Sequence, residues 1–146
     1  MDKSQPEFVW PIRVYYEDTD TGGVVFYANY LKFFERARTE WLRHCGIGQQ
    51  LLSETHQAMF VVKSTSVDYH APAKLDDELK LTVVVERLGR ASVEFVQEAW
   101  RTKGKESMLL TSGRIRVGCV HTASFRPMAI PNEVLDRIHK SKSGTA

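Results

Sequence analysis

One stretch of helical periodicity, followed almost entirely by period-two segments, constrains this chain more than any other feature. Over residues 27–45 the apolar positions Leu31, Phe34, Ala37 or Arg38, Trp41 and Cys45 recur at steps of three and four. Lys32, Arg36, Glu40 and Arg43 fall between them. Gly46 is placed as the left-handed stop, and Arg43 and His44 in the last turn suit the helix dipole. Residues 47–54 read as a short second helix. Alternation then takes over, with strands expected over 58–70, 78–87, 91–101 and 107–120. The cleanest is 78–87, where Leu79, Leu81, Val83 and Val85 alternate with Lys80, Thr82, Val84 and Glu86. Gly89-Arg90 and Lys103-Gly104 sit where hairpin turns are required. A strand over 8–17 precedes the long helix, and a short helix over about 131–140, opened by Pro131, closes the pattern. Consecutive hairpin strands make an antiparallel sheet, and a lone amphipathic helix must bury its stripe against it. The expected architecture is α+β, a curved antiparallel sheet wrapped around one long central helix.

With 146 residues and no linker or internal repeat, the chain reads as one domain over 1–146, with a small, polar tail at 141–146. Twenty basic and 18 acidic side chains leave a net charge of +2, which argues against a nucleic-acid partner but not against a pocket for one phosphorylated small molecule. Cys45 and Cys119 are far apart and form no CxxC pair. They are expected as reduced, buried thiols in a reducing compartment, hence a cytoplasmic localisation. The opening MDKSQPEFVW has no apolar signal core, and the longest apolar run, 58–62, is far short of the ~20 residues that span a bilayer.

The chemistry-bearing stretch is the turn at 18–23, between the first strand and the long helix. It carries Asp18 and Asp20, preceded by Glu17, and ends in Gly22-Gly23. Asp20 is the leading candidate. A carboxylate just ahead of a helix start can act as general base on water, or attack a carbonyl itself. The same residue type also caps helices and solvates turns, and spacing alone does not separate these roles. Asp18-Thr19-Asp20-Thr21-Gly22-Gly23 imitates the start of a calcium loop, but Gly22 brings no ligand and Asn29 stands where a bidentate Glu is needed. His44, His56, His70, His121 and His139 never pair at a one-turn spacing, so no metal site is expected. No nucleophile elbow, phosphate loop or dinucleotide fingerprint is present. Gly22 and Gly23 let the chain turn and leave room for a substrate at the backbone. Phe26, Tyr27, Tyr30, Phe33 and Phe34 read as core, with Phe26 and Tyr27 as exceptions at the helix entry. Arg87 and Arg90 flank one hairpin turn, and Arg114 and Arg116 alternate on the last strand. Two basic groups at one hairpin can bind phosphates through forked hydrogen bonds.

Arg13-Val14, Thr19-Asp20, Gly23-Val24-Val25, Tyr27 and Tyr30 together resemble the signature of the 4-hydroxybenzoyl-CoA thioesterase family. YYEDTDTGGVVFYANY, FERARTEWLRH and YHAPAKLDDEL are most similar to its Tol-Pal-associated acyl-CoA thioesterase branch, and the likeness runs to about residue 130. The resemblance implies the hotdog fold, in agreement with the element order read above, and hydrolysis of acyl-CoA thioesters to free acid and CoA. It implies Asp20 as the catalytic carboxylate, and the backbone N–H of Tyr27 as the group that polarises the thioester carbonyl. Some relatives carry a histidine at that position, a change that a backbone role survives. Arg87 and Arg90 are then the expected contacts for the CoA phosphates. CoA is part of the substrate and no further cofactor is implied. Acyl carrier protein is an alternative acyl donor. The resemblance also implies a homodimer or homotetramer with active sites between subunits, and an envelope context through the Tol-Pal association. Two rivals remain open at this point: an acyl-thioester hydratase or dehydratase, which needs an acid–base pair that 18–30 lacks, and a non-catalytic acyl-CoA-binding or partner-docking module.

Overall fold

The computed structural model describes residues 8–48 and 50–142. In chain order the elements are β1 (Phe8–Arg13), a 3-10 turn (Tyr16–Asp18), α1 (Asn29–His44), a π-helical turn (Gln50–Thr55), β2 (Ala58–Tyr69), β3 (Glu78–Leu88), β4 (Ser92–Lys103), β5 (Glu106–His121) and α2 (Asn132–Lys142). The five strands form one antiparallel sheet in the order β1-β3-β4-β5-β2. This order explains the position of α1. It connects β1, at one edge, with β2, at the other, so the chain carries the helix across the whole face of the sheet. Residues 70–77 then return to start β3 beside β1.

The face that receives the helix is set by alternation. Leu79, Leu81, Val83 and Val85 of β3, with Val93, Phe95 and Ala99 of β4, are buried, as are Ile115 and Val117 of β5. The helix answers with Tyr30, Phe33, Phe34, Ala37 and Trp41, and Cys45 just beyond. Leu31, expected on this stripe, is instead 43% exposed. Stepping back four residues at a time from Trp41 and from Phe34 gives 37, 33 and 30, so the stripe runs through Tyr30 and Phe33 and leaves Leu31 at its flank. Approach is close at Gly113, where a Cβ would lie 3.0 Å from Cε2 of Phe34. A wholly buried amide pins the same turn: Gln97 Nε2 donates to the Phe34 carbonyl (3.1 Å) and to the Thr82 carbonyl (3.4 Å).

Element ends follow local chemistry. The first strand stops at Arg13, short of the expected 17, because Val14 already pairs out of the sheet. Its N–H donates to the Asp77 carbonyl and its carbonyl accepts from the Asp76 N–H (both 2.9 Å). α1 starts at Asn29 rather than 27, after a turn closed by the Asn29 N–H on the Phe26 carbonyl (2.8 Å). Its end is a Schellman motif. Gly46 has φ +81°, its N–H donates to Arg43, and the Ile47 N–H reaches back to Leu42. The expected short second helix is the single turn Gln50–Thr55, docked by buried Leu52. α2 buries Val134 and Ile138, and Glu133 ties it to His56 (3.2 Å) and Arg137 (2.8 Å). Cys45 and Cys119 are buried and not joined in a disulfide, and burial pushes the Cys119 thiol pKa up. The polar tail expected at 141–146 falls mostly on 143–146, outside the described residues.

Because Phe34 meets Gly113 without slack, Gly113→Ala is expected to destabilise the fold by about 1–3 kcal/mol. Urea unfolding would register this as a lower midpoint at unchanged slope; an unaltered midpoint would mean the helix can ride away from β5.

Candidate active site

After β1 the chain makes two turns in succession, and the two aspartates divide between them. In the first turn Asp18 is buried, 5% exposed. Its Oδ2 accepts from the Tyr15 N–H (2.8 Å) and its Oδ1 from Asn29 Nδ2 (2.9 Å). The Phe26 N–H donates to its carbonyl (3.1 Å). One residue thereby fastens the end of β1 to the first residue of α1. The second turn is a tight hairpin in which the Asp20 N–H donates to Val24, the Gly23 N–H donates to Asp20, and Thr19 bridges Val25. Gly23 sits at φ +81°, a left-handed conformation that suits glycine. Here the Asp20 side chain is exposed. Its Oδ1 accepts from the Gly22 N–H (2.8 Å), and among the described residues its Oδ2 has no partner. A Cβ on Gly22 would stand 3.2 Å from Oδ1, so a side chain there crowds the carboxylate.

A second segment, 71–77, clamps this loop from the side. The Val25 N–H donates to Ala73 (2.8 Å), Val24 bridges Lys74, and the Ala73 N–H donates to the Tyr30 hydroxyl (3.2 Å). Beside it, Tyr69 at the end of β2 donates its hydroxyl to the Tyr27 carbonyl (3.0 Å). The Tyr69 ring meets Tyr27 edge-on at 6.0 Å and Tyr30 at 5.7 Å. Burial raises the pKa of both Tyr30 and Tyr69, which keeps their hydroxyls protonated at neutral pH. Phe26 and Tyr27, the two aromatics expected outside the core, are 47% and 62% exposed. Among the described residues no hydrogen bond engages the backbone N–H of Tyr27 or of Ala28. These donors lie at the positive end of α1, where a developing oxyanion is stabilised.

Asp20 and Tyr27 are thus brought onto one loop–helix junction, held by Asp18 and Tyr69. Arg87 and Arg90 are not brought there. Residues 74–77 contact the Asp20 loop at the start of β3, whereas Arg87 stands at its far end, about 30 Å along the strand at ~3.3 Å per residue. Arg87 lies opposite Glu94, and the Arg90 carbonyl accepts from the Ile130 N–H (2.8 Å). Arg114 forms an ion pair with Glu86. Among the described residues no group of three His, Cys, Asp or Glu side chains is placed to hold a metal ion. The expectations from sequence missed Asn29 and Tyr69. The available signal was a polar residue inside the aromatic run 26–34, and an aromatic next to the end of the strand expected over 58–70.

Residues 22–108 match the family model described as the thioesterase superfamily. The chain belongs to that superfamily. "Acyl-CoA thioesterase YbgC" of Haemophilus influenzae is 44% identical over 135 residues, 92% of this chain and 96% of the relative. "Acyl-CoA thioester hydrolase YbgC" of Escherichia coli O6:H1 is 44% identical over 128 residues, 88% and 92% of the two chains. A solved variant of 4-hydroxybenzoyl CoA thioesterase, complexed with 4-hydroxybenzoyl CoA, is 19% identical and superposes with a TM-score of 0.80, covering 88% of this chain and 96% of its own. At that identity it speaks for the fold, and the fold is the hotdog arrangement of one helix within an antiparallel sheet.

The division between the two aspartates can be tested without substrate. Asp18→Ala leaves a buried amide and the Tyr15 N–H without their acceptor, an expected loss of about 1–3 kcal/mol, whereas Asp20→Ala should cost under about 1 kcal/mol. Paired thermal melts giving the reverse ranking would show that Asp20 holds the loop.

Proposed function

We propose that this chain, an acyl-CoA thioester hydrolase by family and by its curated relatives, carries out the reaction at Asp20 and the start of α1. The observation that supports this reading most is an exposed carboxylate with one oxygen fixed and the other free, on a loop bonded to a helix start just ahead of which the N–H groups of Tyr27 and Ala28 are unengaged among the described residues. The thioester carbonyl oxygen takes the N–H of Tyr27, and the helix dipole favours the charge that grows on it. The Gly22 N–H holds Oδ1 of Asp20, which leaves Oδ2 for the reaction. It either removes a proton from water as water attacks the carbonyl carbon, or attacks that carbon itself, so that the CoA thiolate leaves and the acyl group stays on Asp20 as a mixed anhydride. Water cleaves the anhydride in a second step. In both routes the C–S bond breaks, the thiolate gains a proton, and the acid and CoA leave. A thioester is an activated acyl group, so one carboxylate with an oxyanion site suffices chemically.

The working unit is a homodimer or homotetramer. β2 supports this, because its outer side is a twelve-residue sheet edge with no neighbouring strand among the described residues. The distance from Asp20 to Arg87 and Arg90 supports it too. If those arginines bind CoA phosphates at a given site, another subunit supplies them. CoA is the expected carrier and acyl carrier protein the alternative.

The decisive experiment is a panel of acyl-CoA and acyl carrier protein substrates with free thiol release followed, for the native chain and Asp20→Asn. Loss of about 10²–10⁴-fold in kcat is expected. Equal turnover by both would remove Asp20 from the mechanism. Retained binding without turnover in the native chain would favour the acyl-CoA-binding module. Sedimentation should give a mass of two or four chains, and a mass of one chain would contradict the shared site.

A further inference from the structure

Away from Asp20, the second half of α1 and the first half of β2 border a groove of about 520 Å³, with Glu35, Thr39, Leu52, Met59 and Val61 among its walls. It shares Arg38, Leu42, Phe60 and Val117 with a smaller cavity of about 40 Å³, ample beside the ~10–15 Å³ that one water needs. Trp41, Val93, Phe95 and Ile138 complete the walls, and none of the lining side chains carries a hydrogen-bond acceptor. Two of them carry donors. Arg38 spends Nη1 on Gln97 Oε1 (2.9 Å), and its guanidinium lies 6.0 Å over the Phe95 ring. A guanidinium has five N–H groups, and Arg38 takes part in none of the ion pairs among the described residues. Glu35, one turn back, is exposed and forms no ion pair with it within 4 Å, although its charge favours the protonated guanidinium. Trp41 is 1% exposed, and its indole N–H has no acceptor.

A half-buried cation with donors to spare and a buried orphan donor, both lining one cavity, describe a site that an added acceptor would complete. We propose that Arg38 and Trp41 form a carboxylate-binding site at the inner end of this groove. A planar carboxylate presents two acceptors to an arginine fork and an indole N–H, and apolar walls suit the methylene chain behind it. A phosphate would turn its remaining oxygens toward Phe60, Val93 and Ile138, which have nothing to donate. The carboxylate is either the far end of a dicarboxylic acyl thioester or a free carboxylic acid. The first source rests on the thioesterase reading above, and the second does not.

The test uses the full chain labelled with 15N. The Trp41 indole signal is identified by its loss in Trp41→Phe, and glutarate is titrated in. A saturable shift of that signal is expected, at least tenfold weaker in apparent affinity in Arg38→Met, while the Trp10 and Trp100 signals stay put. No saturable shift, or one indifferent to Arg38→Met, overturns the site. Should Arg38→Met fail to fold, Arg38→Lys keeps the charge and removes the fork, and the same loss is expected. In a second arm, kcat/KM is measured for dodecanedioyl-CoA and lauroyl-CoA, which match in chain length and are long enough to bridge the roughly 16 Å of helix between Tyr27 and Arg38. A fall of tenfold or more in their ratio on Arg38→Met assigns the site to the acyl end of the substrate. A glutarate shift with an unchanged ratio assigns it to a free acid. A glutarate shift with neither thioester hydrolysed leaves the site standing and removes the thioesterase reading instead.

Discussion

The structure depends first on the burial of α1 against the sheet. The helix connects the two edge strands, so it crosses the whole face, and its turn about its own axis is fixed where Phe34 lies on Gly113 and takes the Gln97 amide. Fixing that rotation decides what the rest of the helix presents. Tyr30, Phe33, Ala37 and Trp41 go inward, Tyr27 is left outside at the entry, and Arg38 is held at the border of the core. Apolar burial supplies most of the stability, at about 25 cal/mol per Å² of area removed from water, while the buried Gln97 chooses one rotation among several.

The site at the helix start is a consequence of how that end is anchored. A helix N-terminus carries unpaired N–H groups and attracts a nearby carboxylate. Two aspartates are in reach here, and the loop uses them differently. Asp18 is consumed by Tyr15 and Asn29, deep in the junction, so it cannot collapse onto the helix start. Asp20 is turned outward by a glycine hairpin and keeps one oxygen free. Tyr69 occupies the Tyr27 carbonyl, while the N–H of that residue has no partner among the described residues.

Much of the fold was legible in the sequence because it follows from periodicity. The switch from one helical stretch to four alternating ones announced an antiparallel sheet on a single helix, and Gly46 announced the helix stop. What periodicity does not encode is pairing at a distance. β2 follows the helix in sequence yet pairs with β5 at the far edge, and no local pattern records that choice. The same limit governed the site. Asp20 could be nominated from its place before a helix, but the ranking of Asp18 against it depends on Asn29, eleven residues on, and on Tyr15 behind it. Arg38 is the sharpest case. On a helical wheel it shares the stripe with Ala37, and only the packing shows a guanidinium bonded to Gln97, fifty-nine positions away.

Those placements bear on how the chain must assemble to work. The carboxylate and the open helix start lie at one end of β3, and Arg87 and Arg90 lie at the other, nearly a full strand away. A CoA moiety whose thioester sits at Asp20 and whose phosphates meet those same two arginines would have to run the length of the sheet of a single chain. Antiparallel joining of two sheets, as proposed above, would ease the difficulty, because it lays the far end of one strand set beside the near end of the other. β2 is the edge that permits such joining, since β1 at the opposite edge is only half as long, six residues against twelve.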